Sequence, residues 1–296
     1  MRIVSLVPHA TELLFALGLG DEVVGVTHEC DYPEQAKKRR QVTRDVLPEG
    51  LTAAETDAAV RERTLEGESI YELDEGALRE LEPGLIVTQA LCHVCAVSHE
   101  EVQALALRLP GPPRVISLDP KTYGETVGDV RTIAQATGTR DAALDLIART
   151  ARRADVVALA VRDRRRPRVA ALEWLDPIFI AGHWTPQLIE MAGGDDALGF
   201  SGEPSREASW EEVAAALPEI VVLMQCGYDA PHAHAEGVQY AERLRSLGAN
   251  RVVAVDASAY FSRPGPRLIE GLELLSHILH PDRVPDAPAE ALAVEL

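Results

Sequence analysis

The sequence has few aromatic residues, few cysteines and no long apolar run. Phe, Trp and Tyr make up 4% of the 296 residues, and there are four cysteines. No apolar stretch approaches the roughly 18 residues that a transmembrane helix needs, so we expect no membrane insertion. Basic residues are also scarce, with 29 Lys and Arg against 47 Asp and Glu and a formal net charge of -18. Such a chain repels phosphate backbones, and we expect no nucleic-acid partner.

Motifs of common enzyme classes are also missing. We find no nucleophile elbow, no phosphate-cradling glycine loop and no His-Glu-x-x-His helix. The glycine pairs that do occur end helices rather than begin them. We therefore predict that the chain is not an enzyme.

The first residues bear on where the protein is located. Residues 2–6 already read as a buried strand, which leaves no room for the basic start, apolar stretch and cleavage site of a secretory signal. We expect a cytoplasmic protein. A periplasmic or lipid-anchored location is the alternative if a signal segment has been removed.

The two halves of the chain repeat one pattern of strands and helices. Four segments match in the same order: residues 2–6 with 168–172, 11–25 with 187–199, 81–89 with 217–225, and 114–119 with 251–256. The strands among them are unbroken apolar runs, which are typical of parallel strands covered on both faces. The repeat predicts two Rossmann-like α/β lobes with parallel sheets.

The segment between the repeats predicts a helical connection. Residues 140–164 contain no glycine or proline and indicate one helix of about 25 residues. We divide the chain into an N-terminal lobe (1–121), a linker (122–166), a C-terminal lobe (167–282) and a tail (283–296). The first lobe carries roughly 40 extra residues between Gly25 and Tyr71, and an insertion of that length is usually functional.

Ligands of open α/β sheets bind beyond the carboxyl ends of the strands, so the loops there are the candidate site. Despite the shortage of aromatics, several fall on these loops, and large flat ligands are held by such side chains. Packing in the core is the alternative for Trp174, Trp184 and Phe261. The candidate ligand-binding residues are Pro8, His28, Tyr32, Gln89, Trp174, Trp184, Tyr228, Tyr260 and Phe261.

The four cysteines suggest a second kind of site. Cys92-His93-Val94-Cys95 has chelating spacing, and Cys30 and Cys226 fall on loops at the same predicted sheet edge. Four thiolates suit zinc or an iron–sulfur cluster. A metal or iron–sulfur protein on the same fold is therefore an alternative function, and small unreactive thiols are the simpler interpretation.

Several segments resemble a known family. They are Ser5-Leu6-Val7-Pro8 with Thr11-Glu12, Val24-Gly25-Val26, Asp31-Tyr32-Pro33, Leu81 to Val87, Phe179 with Gly182, Gly193-Gly194, and Phe261 with Pro266-Arg267. Nearly the whole chain resembles the helical-backbone (class III) substrate-binding proteins of ABC importers for vitamin B12, haem and siderophores. Within that fold, the similarity is greatest to the vitamin B12 (cobalamin)-binding proteins.

The resemblance implies a corrinoid held between the lobes with little hinge motion, and delivery of this small ligand to an ABC permease. Docking glutamates of the family correspond to Glu100 or Glu101 and to Glu236. Haem or siderophore binding is the alternative, with His28, Tyr32 or Tyr260 on the iron. The His28-Glu29-Cys30 and Cys-His-Val-Cys segments depart from the importer pattern and resemble a cytoplasmic branch, for which uptake, salvage or intracellular handling are all possible roles.

Overall fold

The computed structural model describes residues 1–48, 50–65, 69–90 and 99–296. The chain divides into two compact units, Met1–Pro120 with Val127–Ile147, and Lys121–Thr126 with Ala148–Leu296. The residues predicted as a separate linker are therefore shared between the two units.

The first unit is built on a five-stranded parallel sheet. Its elements are β1 (Ile3–Ser5), α1 (Pro8–Ala16), β2 (Val23–Val26), a 3-10 turn (Ala36–Lys38), β3 (Arg40–Gln41), β4 (Thr43–Asp45), α2 (Ala53–Leu65), β5 (Tyr71–Leu73), α3 (Glu75–Leu81), β6 (Leu85–Thr88), α4 (His99–Ala106) and β7 (Arg114–Ser117). The strand order is β3-β2-β1-β6-β7. The central strands β1 and β6 are wholly buried, as their unbroken apolar sequence predicts.

The extra residues of the first lobe contribute a small sheet of their own. Strands β4 and β5 pair antiparallel, with Thr43 opposite Leu73 and Asp45 opposite Tyr71. Val42 and Leu73 are buried in the same apolar cluster as Leu78 of α3. The insertion is thus anchored to the body of its unit by burial of apolar side chains.

Two helices follow, α5 (Tyr123–Thr137) and α6 (Arg140–Val161). The long helix α6 ends three residues before the predicted position, because the backbone turns at residues 162–164. Its residues up to Ile147 belong to the first unit and those from Ala148 to the second. None of the helices in the described ranges is long and apolar enough to cross a membrane.

The second unit contains a seven-stranded mixed sheet. Its elements are β8 (Arg168–Leu175), β9 (Ile178–Ile180), α7 (Thr185–Met191), β10 (Asp195–Asp196), β11 (Arg206–Glu207), α8 (Trp210–Ala215), β12 (Ile220–Leu223), α9 (Ala230–Gln239), α10 (Ala241–Ser246), β13 (Arg251–Val255), α11 (Ala257–Tyr260), α12 (Leu268–Leu279) and β14 (Ala291–Ala293). The order is β11-β9-β8-β12-β13-β14, and β10 also pairs with β8.

The parallel cores of the two units have the same topology. The first unit contains the order β2-β1-β6-β7, and the second contains β10-β8-β12-β13, with every neighbouring pair parallel. The four matched sequence segments supply these strands in the same succession. The structure thus reproduces the internal repeat.

The second unit also has strands that the repeat does not predict. β9 and β11 add an antiparallel edge next to β8. At the other edge, β14 pairs antiparallel with β13, with Val255 opposite Ala291. The residues set apart as a tail therefore complete the sheet, and Val294 beyond β14 is buried in the core of this unit.

Candidate functional site

Trp174 and Tyr228 form an aromatic pair in the second unit. Trp174 lies near the end of β8, and Tyr228 lies on the loop after β12. Their ring centroids are 5.7 Å apart with an interplanar angle of 57°. The indole nitrogen of Trp174 is buried and has no hydrogen-bond partner within the described part of the chain. An unmade hydrogen bond of this kind is costly, so the pair offers a ligand both apolar area and one donor.

A buried polar pair joins the loop after β12 to helix α9. Nε2 of Gln225 donates to Oε2 of Glu236 over 2.9 Å, and the two residues are 0% and 8% exposed. Burial raises the pKa of the Glu236 carboxyl, and nearby Asp176 raises it further. Glu236 is thus largely buried in the described structure, and its docking onto a permease stays a prediction.

The loop after β13 is linked to the loop after β12. The backbone N–H of Ser258 donates to the carbonyl oxygen of Tyr228 over 3.1 Å. Asp256 caps α11 by accepting from Ala259 N over 2.7 Å. Tyr260, at the end of this short helix, lies under the Arg267 guanidinium, whose Cζ is 5.8 Å from the ring centroid. The loop that carries Tyr228 and helix α11, which carries Tyr260, are therefore neighbours joined by a hydrogen bond.

Trp184 and Phe261 have the surroundings of core residues rather than of ligand contacts. They are 7% and 3% exposed, and the Trp184 indole N–H donates to the Phe261 carbonyl oxygen over 2.7 Å. The Phe261 ring packs against Gly271 of α12. Of the two interpretations open for these side chains, the burial favours core packing.

The residue before Trp184 has an unusual backbone. His183 has a φ of 53°, in the left-handed region that non-glycine residues rarely adopt. Its N–H donates to the Glu203 carbonyl oxygen over 2.6 Å, and its carbonyl accepts from Gly202 N over 2.8 Å. The sequence places His183 on a predicted cleft loop, but it gives no signal for the left-handed backbone of this residue.

In the first unit, the insertion positions His28 on the loop after β2. Nδ1 of His28 lies 2.8 Å from Oγ1 of Thr43 on β4, and its ring centroid lies 5.1 Å from that of Tyr71 on β5. The Tyr71 hydroxyl donates to Glu29 Oε1 over 2.9 Å. Both strands of the small sheet thus hold this loop.

Thr43 contacts His28 at two points. Thr43 Oγ1 accepts the His28 backbone N–H over 3.1 Å and also lies 2.8 Å from Nδ1 of the ring. A hydroxyl group can both donate and accept, so this contact is compatible with either tautomer of the imidazole. The contact occupies Nδ1 and orients the His28 ring.

The remaining candidates of the first unit differ in exposure. Pro8 begins α1 and is half-buried, Gln89 is 8% exposed, and Tyr32 is 47% exposed. Glu100 is exposed in the first turn of α4. At Glu101, burial and the charge of Glu75 raise the pKa of the carboxyl.

Two of the four cysteines that are predicted to hold a metal, Cys30 and Cys226, lie within the described ranges. Cys30 is 4% exposed, and its Sγ lies 3.0 Å from Thr11 Oγ1 and 3.2 Å from Thr27 Oγ1. Cys226 is exposed. Cys92 and Cys95 lie outside the described residues, and in the rest of the chain no group of three His, Cys, Asp or Glu side chains is arranged to hold a metal ion. Cys30 instead belongs to a buried hydroxyl cluster.

Comparisons with known proteins agree with this architecture. A family model described as periplasmic binding protein matches residues 3–254. The vitamin B12-binding protein of Vibrio cholerae is 24% identical over 277 residues, which are 92% of this chain and 86% of the relative. The structure of the periplasmic vitamin B12 binding protein of Vibrio cholerae has a TM-score of 0.67 at 22% identity, covering 94% of this chain and 96% of that one. A periplasmic heme-binding protein from Roseiflexus sp. RS-1 has a TM-score of 0.68 at 24% identity, covering 96% and 98%.

These matches confirm three of the predictions. The structural similarity confirms the two-lobed α/β fold class. The family model and the relatives are those of solute-binding proteins, which confirms the resemblance and the prediction that the chain is not an enzyme. The family model covers far more than half of the sequence, and the chain belongs to the periplasmic binding protein family.

Proposed function

We propose that this binding protein holds a corrinoid, a cobalamin-like ligand. The observation that carries the proposal is the Trp174–Tyr228 pair, with its ring centroids 5.7 Å apart and its unpartnered indole N–H. A corrin is a large macrocycle whose faces pack against aromatic rings. The name of the Vibrio cholerae relative supports the same ligand class.

The polar groups of the site favour a ligand whose rim is uncharged. The Trp174 indole N–H is a donor, and the rim of a corrin bears amide groups whose carbonyl oxygens accept hydrogen bonds. Haem bears carboxylates instead, and the net charge of -18 disfavours an anionic ligand. The position of the ligand between the lobes stays a prediction from the sequence.

Isothermal titration calorimetry tests the ligand class. We expect cyanocobalamin and dicyanocobinamide to bind with dissociation constants of about 1 μM or below, corresponding to about 8 kcal/mol or more of binding free energy. Trp174→Phe keeps an aromatic ring and removes the indole N–H donor. It should weaken binding about 5- to 30-fold, which corresponds to the loss of one hydrogen bond. Trp210→Phe, which changes a tryptophan stacked on Tyr240 instead, should leave the affinity unchanged. No heat and no comigration with either corrinoid on gel filtration would refute the proposal.

Haem is the second candidate, because periplasmic heme-binding proteins share this fold. His28, Tyr32 and Tyr260 are the candidate iron ligands, and Nδ1 of His28 is already in contact with Thr43. Titration with hemin, followed by absorption spectroscopy, separates the candidates. Haem binding that is tighter than corrinoid binding and is lost in Tyr260→Phe would favour this alternative.

The route by which the ligand is used is also a proposal. Periplasmic binding proteins deliver small ligands to ABC permeases, and the exposed Glu100 is our candidate for docking. The cytoplasmic location expected from the sequence implies intracellular handling instead. Fractionation of cells that express the full-length tagged chain decides between these roles: recovery with the cytosol excludes docking on an importer from outside.

A further inference from the structure

The described histidines differ in whether a ring nitrogen is already bonded. The ones that use a ring nitrogen in a hydrogen bond are His28, His99, His232, His234, His277 and His280. His9 is 3% exposed in the core of the first unit. His183 is half-buried, and within the described ranges neither of its ring nitrogens has a hydrogen-bond partner. The imidazole of His183 is therefore available to bind a ligand.

The backbone of His183 is held in place from both sides. A φ of 53° costs a non-glycine residue about 1–2 kcal/mol, and such strain persists only where the surroundings impose it. The surroundings here are the hydrogen bonds of its N–H to Glu203 and of its carbonyl to Gly202. A Cβ on the preceding Gly182 would lie 2.3 Å from Ser205 N, so the 203–205 backbone packs directly against this turn. The direction of the Cα–Cβ bond of His183 is thus set by rigid main chain.

The ring of His183 also has a fixed neighbour. Its centroid lies 5.6 Å from that of Trp184, whose indole N–H is bonded to the Phe261 carbonyl oxygen. Burial lowers the pKa of the His183 imidazole, and the charge of Lys121 lowers it further. At neutral pH the ring is therefore uncharged and has a lone pair on one nitrogen. A neutral imidazole on a rigid support is a metal ligand in many cofactor sites.

We propose that His183 coordinates the metal at the centre of the bound ligand. This inference rests on the proposed function, since a corrinoid brings its own cobalt. In the reaction, the bond between cobalt(III) and an axial water breaks and a bond to the His183 nitrogen forms. Water is the leaving group, and neither a proton nor an electron is transferred. The protein would thereby select corrinoids with a replaceable axial ligand over those whose two axial positions are blocked.

Two corrinoids and one conservative variant test this role. Aquocobinamide has an exchangeable water on cobalt, whereas dicyanocobinamide carries cyanide on both faces. His183→Asn removes the imidazole and keeps a residue that tolerates the left-handed backbone. His234→Asn, in α9 of the same unit, is the matched control for loss of a histidine elsewhere. Each protein is titrated with each corrinoid by calorimetry, and absorption spectra are recorded for the complexes.

We expect the wild-type protein and His234→Asn to shift the absorption bands of aquocobinamide on binding, as imidazole replaces water. His183→Asn should bind aquocobinamide at least about tenfold more weakly, which is the loss in affinity expected when one metal contact is removed. The absorption bands of aquocobinamide should not shift in this complex. The affinity of His183→Asn for dicyanocobinamide should stay within about twofold of wild type. Binding of aquocobinamide by the wild type without a band shift would overturn the role of His183 alone, as would equal losses for both corrinoids in His183→Asn. Failure of the wild type to bind either corrinoid would overturn the proposed function and the inference with it.

Discussion

The Trp184 indole N–H donates to the main-chain carbonyl oxygen of Phe261 over a distance of 2.7 Å. The bond joins the start of α7 to the end of α11, segments that are 77 positions apart in the sequence. Both residues are buried, so neither group is compensated by water if the bond is lost. This bond holds the Trp184 ring in position, and the centroid of that ring lies 5.6 Å from that of His183.

Replacing this indole should cost stability. Trp184→Phe leaves the Phe261 carbonyl without its donor and opens a small cavity, so we expect the free energy of unfolding to fall by about 2–4 kcal/mol. Urea denaturation measures the change. Trp210→Phe is the matched control, because Trp210 is only partly buried and makes ring contacts with Tyr240. Equal losses in the two variants would show that the hydrogen bond is unimportant.

The turn before His183 should not tolerate a side chain. In Gly182→Ala the new Cβ would lie 2.3 Å from Ser205 N and 2.6 Å from Glu203 O, which are backbone atoms that cannot move alone. We expect a loss of about 1–3 kcal/mol in the free energy of unfolding, typical of overpacking. Gly128→Ala in α5 has nothing within 4 Å and should instead stabilise the protein by about 0.5–1 kcal/mol. Thermal denaturation of both variants checks the opposite signs.

Arg153 of α6 is bonded to two glutamates of α12. Its Nε and Nη2 donate to the two carboxylate oxygens of Glu273 over 2.8 and 2.7 Å, and its Nη1 donates to Glu270 over 2.8 Å. The hydrogen bonds to Glu273 and Glu270 raise the pKa of the Arg153 guanidinium, and partial burial offsets part of this rise.

A double-mutant cycle can measure this pair. We expect Arg153→Ala and Glu273→Ala to show a coupling energy of about 1–2 kcal/mol. The comparison is Arg44 with Glu72, whose side chains are 73% and 53% exposed and should couple by less than about 1 kcal/mol. A coupling for Arg153 no larger than that of the exposed pair would contradict the argument.

The duplicated parallel core could be predicted from the sequence because it follows from local patterns. Apolar runs such as residues 85–88 and 220–223 mark strands covered on both faces, and their order repeats. The antiparallel strands could not be predicted from the sequence. β11 and β14 are two and three residues long, and they become strands only by pairing with β9 and β13. Such pairing depends on tertiary context rather than on local propensity.

The candidate site was less predictable for a related reason. The loop position of Tyr228 followed from the end of β12, whereas Trp174 lies within β8 and Tyr260 within α11 rather than on the predicted loops. The burial of Trp184 and Glu236 could not be predicted, because it is decided by distant segments that contact them, such as Phe261. Likewise, the hydroxyls around Cys30 come from α1 and from the end of β2, and no spacing rule signals them.

The two described cysteines should differ in reactivity. Cys226 is exposed, whereas Cys30 is enclosed by the hydroxyls of Thr11 and Thr27. We expect iodoacetamide to modify Cys226 at least about tenfold faster than Cys30 in the native protein, since a thiol must be reached before it can react. Peptide mass mapping over a time course gives both rates, and unfolding in urea should equalise them. A fast native reaction at Cys30 would show that its cluster opens to solvent.

The buried carboxyl of Glu236 should make stability depend on pH. Burial and the charge of Asp176 raise its pKa in the folded protein, and the hydrogen bond from Gln225 offsets only part of this. The folded state therefore binds the proton more tightly than the unfolded state does. Its stability falls as pH rises from about 4.3, the ordinary pKa of glutamate, to the higher folded value.

Glu236→Gln tests this pH dependence, because the amide carbonyl can still accept from Gln225 and has no charge to bury. The variant should gain stability relative to wild type between pH 4 and pH 8, by about 1 kcal/mol for each unit by which the folded pKa exceeds the unfolded one. Urea denaturation at several pH values measures the difference, and Glu242→Gln on the exposed face of α10 controls for the loss of one negative charge. A stability difference that is independent of pH, or that shrinks toward pH 8, would mean that Glu236 is ionised in the folded protein at little cost. In that case its carboxylate must have reached water or a cation, and the loop after β12 would have to open to allow it.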